Sequence, residues 1–196
     1  QLGGGSPILR GFEASRILLV VDGVRMNNAI YRSGHLQNAL SVDPNALEGV
    51  EVIFGPNSLI YGSDALGGVI HFKTRSPKFK KDSNNVERLD GFLRYQSALN
   101  SNSINIGYQN GTKNFAYLFG ITSNKFGDLR IGENRFHGQD NFGKKTNYVS
   151  LIDQKDSMLL NENQNIIIGS GYTQTDVLWK GIYKINNQTN LSLNFQ

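Results

Sequence analysis

Cysteine is absent from this chain, and proline occurs only four times. The first absence excludes disulfide frameworks, cysteine-based zinc sites and thiol nucleophiles. It leaves the compartment open, because a compact chain in an oxidising space can do without bridges. No apolar run reaches the roughly eighteen residues of a membrane-spanning helix, so none is expected. The formal net charge of +4 comes from scattered basic residues. Lys78, Lys80 and Lys81 form the one tight basic run and read as a solvated linker, so nucleic acid is not an expected partner. The glycine-rich stretch from Gly55 to Gly62 lacks the ending of a phosphate loop. No nucleophile-elbow motif occurs, and Asp22, Glu48, Glu51 and Asp64 are too dispersed to form an acid–base pair. Catalysis is therefore not the expectation. The opening QLGGGSPILRGF shows neither an initiator methionine nor a signal peptide. LSLNFQ closes the chain inside an alternating strand. Both ends read as cut, and the chain reads as an internal piece of a longer protein.

What is present is a folded composition. With 38% hydrophobic and 18% charged residues, the chain is too apolar for a disordered one. Its first part reads as α/β. Ile17 to Val21 (ILLVV) is a buried strand ending in an Asp22-Gly23 turn. Residues 26–42, rich in Asn, Ser and Gly, read as an exposed loop. Asp43-Pro44 fits an N-cap followed by proline at the first helical position, opening a short helix through Glu48. The VEVIF stretch from Val50 to Phe54 reads as a buried strand stopped by Gly55-Pro56. Ser58 to Tyr61 reads as one helical turn, Gly67-Gly68 as a tight bend, and Val69 to Thr74 as the next strand. His71, inside that apolar strand, reads as a structural histidine.

Residues 76–88 are polar and contain a proline, so they mark a boundary. From Leu89 onward the apolar period is two. Ile104, Ile106 and Tyr108 alternate with Asn105, Gly107 and Gln109. Phe115, Tyr117, Phe119 and Ile121 share one face, as do Val177, Trp179, Tyr183 and Ile185, and then Leu191, Leu193 and Phe195. Each strand has one apolar and one polar face, which suits an antiparallel sheet with one wet side. Connection lengths separate a soluble sandwich from a membrane barrel. Asn110-Gly111 signals a tight hairpin over 110–113, and 186–190 forms another short turn. Between them lies a polar stretch of roughly forty residues near 127–170, read as a loop too long for a compact soluble domain. Short turns on one side and long loops on the other are the habit of outer-membrane barrels, and the strand parity fits. A stopper followed by the start of a barrel is expected, and with it transport.

SPILRGF (Ser6 to Phe12), ILLVVDGVR (Ile17 to Arg25), VEVIFGP (Val50 to Pro56) and YGSDALGGVIHFKT (Tyr61 to Thr74) together resemble a TonB-dependent outer-membrane receptor. The resemblance covers the C-terminal half of the plug and continues into the first barrel strands, where NKFGDLR (Asn124 to Arg130) is similar as well. It implies an α+β plug domain over 1–77, a linker over 78–88, and antiparallel transmembrane β-barrel strands over 89–196. These would be roughly five strands of a twenty-two-stranded barrel. The resemblance further implies residence in the bacterial outer membrane, contact with its lipid, and energised uptake driven by the TonB–ExbB–ExbD complex. It implies no intrinsic cofactor and no chemistry on the ligand. Arg10 matches a plug arginine that latches onto acidic residues of the barrel wall. Phe54 stands where many members carry a second basic residue.

The loop YRSGHLQN, Tyr31 to Asn38, resembles the plug loop of haem and haemoprotein receptors, with Gly34-His35-Leu36 ahead of Asp43-Pro44. That likeness implies haem as the transported ligand and His35 as an axial ligand to its iron. A neutral imidazole suits that role chemically. Tyr31 would stack on the porphyrin, and Arg32 or Arg25 would pair with its propionates. The alternative for His35 is an ordinary polar loop residue, and His137 reads the same way. Ferric siderophore and cobalamin are the alternative cargoes. An outer-membrane barrel enzyme, or a β-rich adhesin, is the alternative of another class. The enzyme leaves the stopper unexplained, and the adhesin would need strand faces without a lipid-facing band.

Overall fold

The computed structural model describes residues 7–12, 16–26, 42–62, 65–80, 86–135, 138 and 141–196. Within them the chain forms a small mixed sheet, a five-stranded antiparallel sheet, and two short strand pairs that stand between strands of the latter.

The first sheet is built on β1 (Ile17–Val21), β2 (Val24–Arg25), β3 (Leu47–Ile53) and β4 (Gly68–Thr74), in the order β2-β1-β4-β3. β1 is central and runs parallel to β4, and all five of its residues are buried. Ile17, Leu19 and Val21 pack with Val42, Ile70 and Phe72 on one face, and Leu18 and Val20 pack with Ala65 and Val69 on the other. A strand covered on both faces needs a continuous apolar run rather than alternation, which is what ILLVV supplies. Asp22 and Gly23 have φ values of 48° and 86° and join β1 to β2 in a two-residue turn. Positive φ at both central positions is the type I′ requirement that Asp-Gly meets.

Two readings of this half are corrected. β3 is an edge strand, and Val50 and Val52 are exposed rather than buried. The helix expected through Glu48 is a single 3₁₀ turn, Pro44–Ala46. Asp43 caps it as expected, accepting from the Asn45 amide at 2.9 Å. Leu47 then enters the ladder opposite Thr74, so sheet pairing takes the backbone that the helix would have used. A longer 3₁₀ segment, Gly55–Tyr61, includes the turn expected at Ser58 to Tyr61. His71 is structural as read: its Nε2 accepts from the Gly23 amide at 3.2 Å.

The second sheet runs β13-β12-β7-β6-β5. Its strands are β5 (Val86–Gln96), β6 (Ser101–Gly111), β7 (Phe115–Phe126), β12 (Tyr172–Lys184) and β13 (Asn190–Phe195). Register pairs Asn105 with Thr122, Gly107 with Gly120, and Lys180 with both Leu118 and Asn194. The faces are inverted relative to a soluble sheet. Asn105, Gln109, Thr122, Asn124 and Lys180 are buried, Thr122 and Lys180 against Asp43 and Asp22, while Leu89, Leu93 and Leu193 are 73%, 80% and 60% exposed. The face that would be solvated in a soluble protein is covered, and the apolar face is bare.

The remaining elements correct the long-loop reading of 127–170. β8 (Leu129–Arg130) pairs with β11 (Ile166–Ile167), and β9 (Asn147–Ile152) forms a hairpin with β10 (Lys155–Leu160). Asp153 and Gln154, at φ 49° and 61°, make its turn. The side-chain base of the excursion is Asp128, whose Oδ1 accepts from the Ser170 and Gly171 amides at 2.8 Å each.

The hairpin signal at Asn110-Gly111 is also displaced. Both residues lie in the β6 ladder, and the turn is 112–114, closed by Thr112 donating to the Phe115 carbonyl. Gly111 has another reason to be glycine: a Cβ there would stand 2.0 Å from the Lys78 carbonyl oxygen. The chain leaving the first sheet passes directly over it.

Candidate functional site

The two sheets meet through polar side chains, and the junction centres on Asp22. The I′ turn carries its carboxylate off the end of the buried β1. Oδ1 accepts from the Thr74 amide at 2.9 Å, and Oδ2 accepts from the Thr74 hydroxyl at 2.6 Å. From the larger sheet, Lys180 Nζ lies 2.9 Å from Oδ2, and the Asn194 and Gln196 side-chain amides donate to it at 3.0 and 3.1 Å. Lys180 also donates to the Thr74 carbonyl at 3.3 Å. Burial pushes the Asp22 carboxyl up. The Thr74 hydroxyl, the Lys180 ammonium and the Thr74 amide outweigh it and hold the group below the usual aspartate value.

A second junction lies at Asp43. Its Oδ1 caps the 3₁₀ turn, and its Oδ2 accepts from the Thr122 hydroxyl on β7. Thr122 in turn accepts from Asn105 Nδ2 at 2.8 Å. A third follows β4: Arg75 reaches Asp90 on β5 at 3.1 Å. A Cβ on Gly107 would lie 3.1 Å from both the Arg75 guanidinium and the Asp90 carboxylate, so that ion pair lies across the glycine. Between these junctions is a cavity of 320 Å³, with Val21, Met26, Val42 and Asp43 on one side and Asn105, Thr122, Asp176 and Leu178 on the other.

Of the residues nominated from sequence, Tyr31, Arg32 and His35 lie outside the described residues, as does His137. Arg25 is exposed on β2, at the start of the segment that holds them, with its guanidinium against Gly62. Arg10 sits in a left-handed conformation, φ 49°, with its guanidinium 4.3 Å over the Phe54 ring. Phe54, which stands where many members of the resembled family carry a second basic residue, thus engages Arg10 through its π face. Asp22, Asp43, Thr122 and Lys180 were not nominated. Asp22 was legible only as a turn residue and Lys180 only as a polar position in an alternating strand. Nothing local in the sequence pairs them.

Residues 1–69 match the model of the TonB-dependent receptor plug domain. The chain carries a TonB-dependent receptor plug. The five-stranded sheet that follows it is the wall against which this plug packs. Over all of its length the chain is similar, at 29% identity, to a hemin receptor of Yersinia enterocolitica, of which it spans 23%. Over 69 residues, 35% of the chain, it is 45% identical to a vitamin B12 transporter of Vibrio vulnificus, of which that match spans 11%. In fold, 99% of the chain superposes on 28% of a ferric enterobactin receptor of Pseudomonas aeruginosa, with a TM-score of 0.59 and 17% identity. The chain therefore spans about a quarter of the length of the relatives that match it throughout. Plug followed by antiparallel barrel strands is the architecture they share, and the relatives are named as receptors and transporters rather than as enzymes.

Proposed function

We propose that this chain is part of an energised outer-membrane uptake receptor whose cargo is haem. The observation that carries the reading is the extent of the match to hemin receptors, which runs through plug and wall alike, over 100% and 98% of the chain in two species of Yersinia. The matches to vitamin B12 transporters cover 35% and 40% of it. On this reading residues 1–77 are plug, 78–88 the linker, of which Val86 to Arg88 already pair in β5, and 89–196 barrel wall. The bare apolar face of the wall meets lipid, and its polar face lines the plug cavity. The short turns at 112–114 and 185–189 then lie on the periplasmic side, and the excursion over 127–171 lies outside. The TonB–ExbB–ExbD complex supplies the pull that opens the plug, and the ligand leaves chemically unchanged.

The segment 27–41 is the proposed ligand loop. His35 would supply the axial imidazole to the haem iron, Tyr31 a stacking face, and Arg32 and Arg25 cations for the propionates. Arg10 remains the proposed latch to acidic residues of the barrel wall. The exposed position of Arg25 on β2 supports its part in the reading.

The test is His35→Ala in the full-length receptor in detergent. Its expected outcome is weaker haem binding and a shifted Soret band. An unchanged spectrum and affinity would overturn the haem-ligand assignment. Cobalamin is the second reading, favoured by the 45% identity within the plug. Titration of the native receptor with cyanocobalamin and with a ferric siderophore separates the three cargoes.

A further inference from the structure

Arg75 stands where the chain leaves β4, and its side chain lies across the seam between plug and wall. Its backbone is fixed, with the amide donating to the Ala46 carbonyl at 2.8 Å. Its guanidinium is held less completely. Nη1 donates to Asp90 Oδ2 at 3.1 Å, while Nε is buried without a partner. A buried donor left unpaired is costly, so this pose is not the guanidinium's optimum. Asp90 also keeps a second cation, Arg88, whose Nε lies 3.3 Å from Oδ1.

Register places the guanidinium between two cavities. Asp90, Gly107, Gly120 and Leu178 form one row across β5, β6, β7 and β12. A Cβ on Gly107 would meet Arg75 Nη2 at 3.1 Å, and one on Gly120 would meet it at 3.6 Å. The guanidinium therefore lies over the paired glycines. The next row toward the excursion, Asn105, Thr122 and Asp176, lines the 320 Å³ cavity. The next row toward the short turns, Arg88, Gln109 and Leu118, lines a second cavity of 200 Å³. Arg75 borders both. Rows on one face of a sheet are about 7 Å apart, so a single side chain spans the partition.

We propose that Arg75 is a gate in the plug–wall seam. Seated on Asp90 it divides the two cavities, and released from Asp90 it joins them into one hydrated path. The path suits water and small monovalent ions. At roughly 30 Å³ per water, each cavity holds a small cluster and not a macrocycle. Release is eased in two ways. Arg88 stays to neutralise Asp90, and leaving the glycine pair lets Nε meet water. Asp43 and Asp176, on the larger cavity, are the carboxylates that a released guanidinium meets. This inference rests on the proposed function only in taking β5 to β13 as the wall of a closed barrel. It does not depend on the cargo.

The experiment measures potassium chloride conductance of the full-length receptor in planar lipid bilayers. Urea that unfolds the plug supplies the open-barrel level. A silent receptor in urea would overturn the barrel reading and the gate with it. Without urea the native receptor is expected to stay closed. A minor open state holds no more than about a tenth of the population, so Arg75→Ala should raise conductance at least about tenfold. Gly107→Val should do the same by displacing the guanidinium without a change of charge. Arg88→Ala leaves Asp90 to Arg75 alone and should stay at the native level.

Chemical rescue separates a gate from a merely loosened plug. In Arg75→Cys, with no other cysteine in the receptor, an aminoethyl group attached through a disulfide restores a cation and should close the path. A propyl group of the same length should leave it open. No rise in Arg75→Ala and Gly107→Val, in a receptor that conducts in urea, would overturn the gate alone. Closure by the propyl group, or a leak in Arg88→Ala equal to that in Arg75→Ala, would overturn it as well. A receptor that meets every expectation yet shifts no Soret band with haem defeats the haem reading alone.

Discussion

The Asp22 carboxylate and the Lys180 ammonium lie 2.9 Å apart, one on the plug and one on the wall, with both side chains largely buried. Removing one partner of such a pair leaves a charge without compensation in a poorly solvated place. The junction is also crowded with neutral donors, so its cost on disruption comes from several bonds at once. It makes the plug's most buried strand, β1, continuous with its attachment to the barrel.

This pair gives the junction a pH dependence with a definite sign. The Asp22 carboxyl is held below its ordinary value, so its contribution is present at neutral pH and lost as pH falls through that lowered value. In the full-length receptor, the stability difference between native protein and Asp22→Asn should stay constant from pH 7 down to about pH 4 and shrink below it. Chemical unfolding at stepped pH measures this. A difference that vanishes already near pH 6 would contradict the assignment.

Gly111→Ala should be far more damaging than its place in a regular strand suggests. The added methyl would stand 2.0 Å from the Lys78 carbonyl, and backbone must move to admit it. A cost of about 1–3 kcal/mol is expected, read as a lowered urea midpoint. Alanine at Gly132, which has nothing within 4 Å, is the control and should change little.

The inverted wall predicts opposite responses on its two faces. Phe119→Lys puts a charge on the bare apolar face and should cost about 2–4 kcal/mol near the bilayer midplane. Ser192→Lys, on the alternate face of β13, should cost much less. Folding of the full-length receptor into lipid vesicles across a urea series distinguishes them. Equal costs would argue against lipid on that face.

Asp128→Ala should loosen the excursion between β7 and β12 without unseating the wall. It removes the acceptor of the Ser170 and Gly171 amides, for a loss of about 2 kcal/mol. Limited proteolysis should cut within 129–169 faster, with the wall strands still protected.

The fold was legible wherever local pattern is decisive. ILLVV, with its Asp-Gly turn, specified a strand covered on both faces. The period of two from Leu89 onward marked five strands, all of which form. Pattern misled where a neighbour distant in sequence takes over. Glu48 lies in β3, as a bulge between Leu47 and Gly49, instead of in a helix. Asn110-Gly111 is held in a strand by pairing with β5 and β7, and the stretch near 127–170 folds by pairing its two ends, β8 with β11. Arg25, Tyr31, Arg32 and His35 were nominated only through resemblance, and all but Arg25 lie outside the described residues. That Asp22 meets Lys180, and Asp43 meets Thr122, was not legible at all.

By itself, then, the sequence determined the buried central strand of the plug with its Asp-Gly turn, and that each wall strand has one polar and one apolar face. Period and turn chemistry are local properties, set by the backbone's own geometry. Only the tertiary structure decided which of those faces is covered, and by what. Asn105, Thr122 and Lys180 are polar positions in three different strands until register brings them together and the plug closes over them. Asp22 and Asp43 become anchors for the same reason: a carboxylate's role depends on which donors reach it, and those donors come from strands far along the chain.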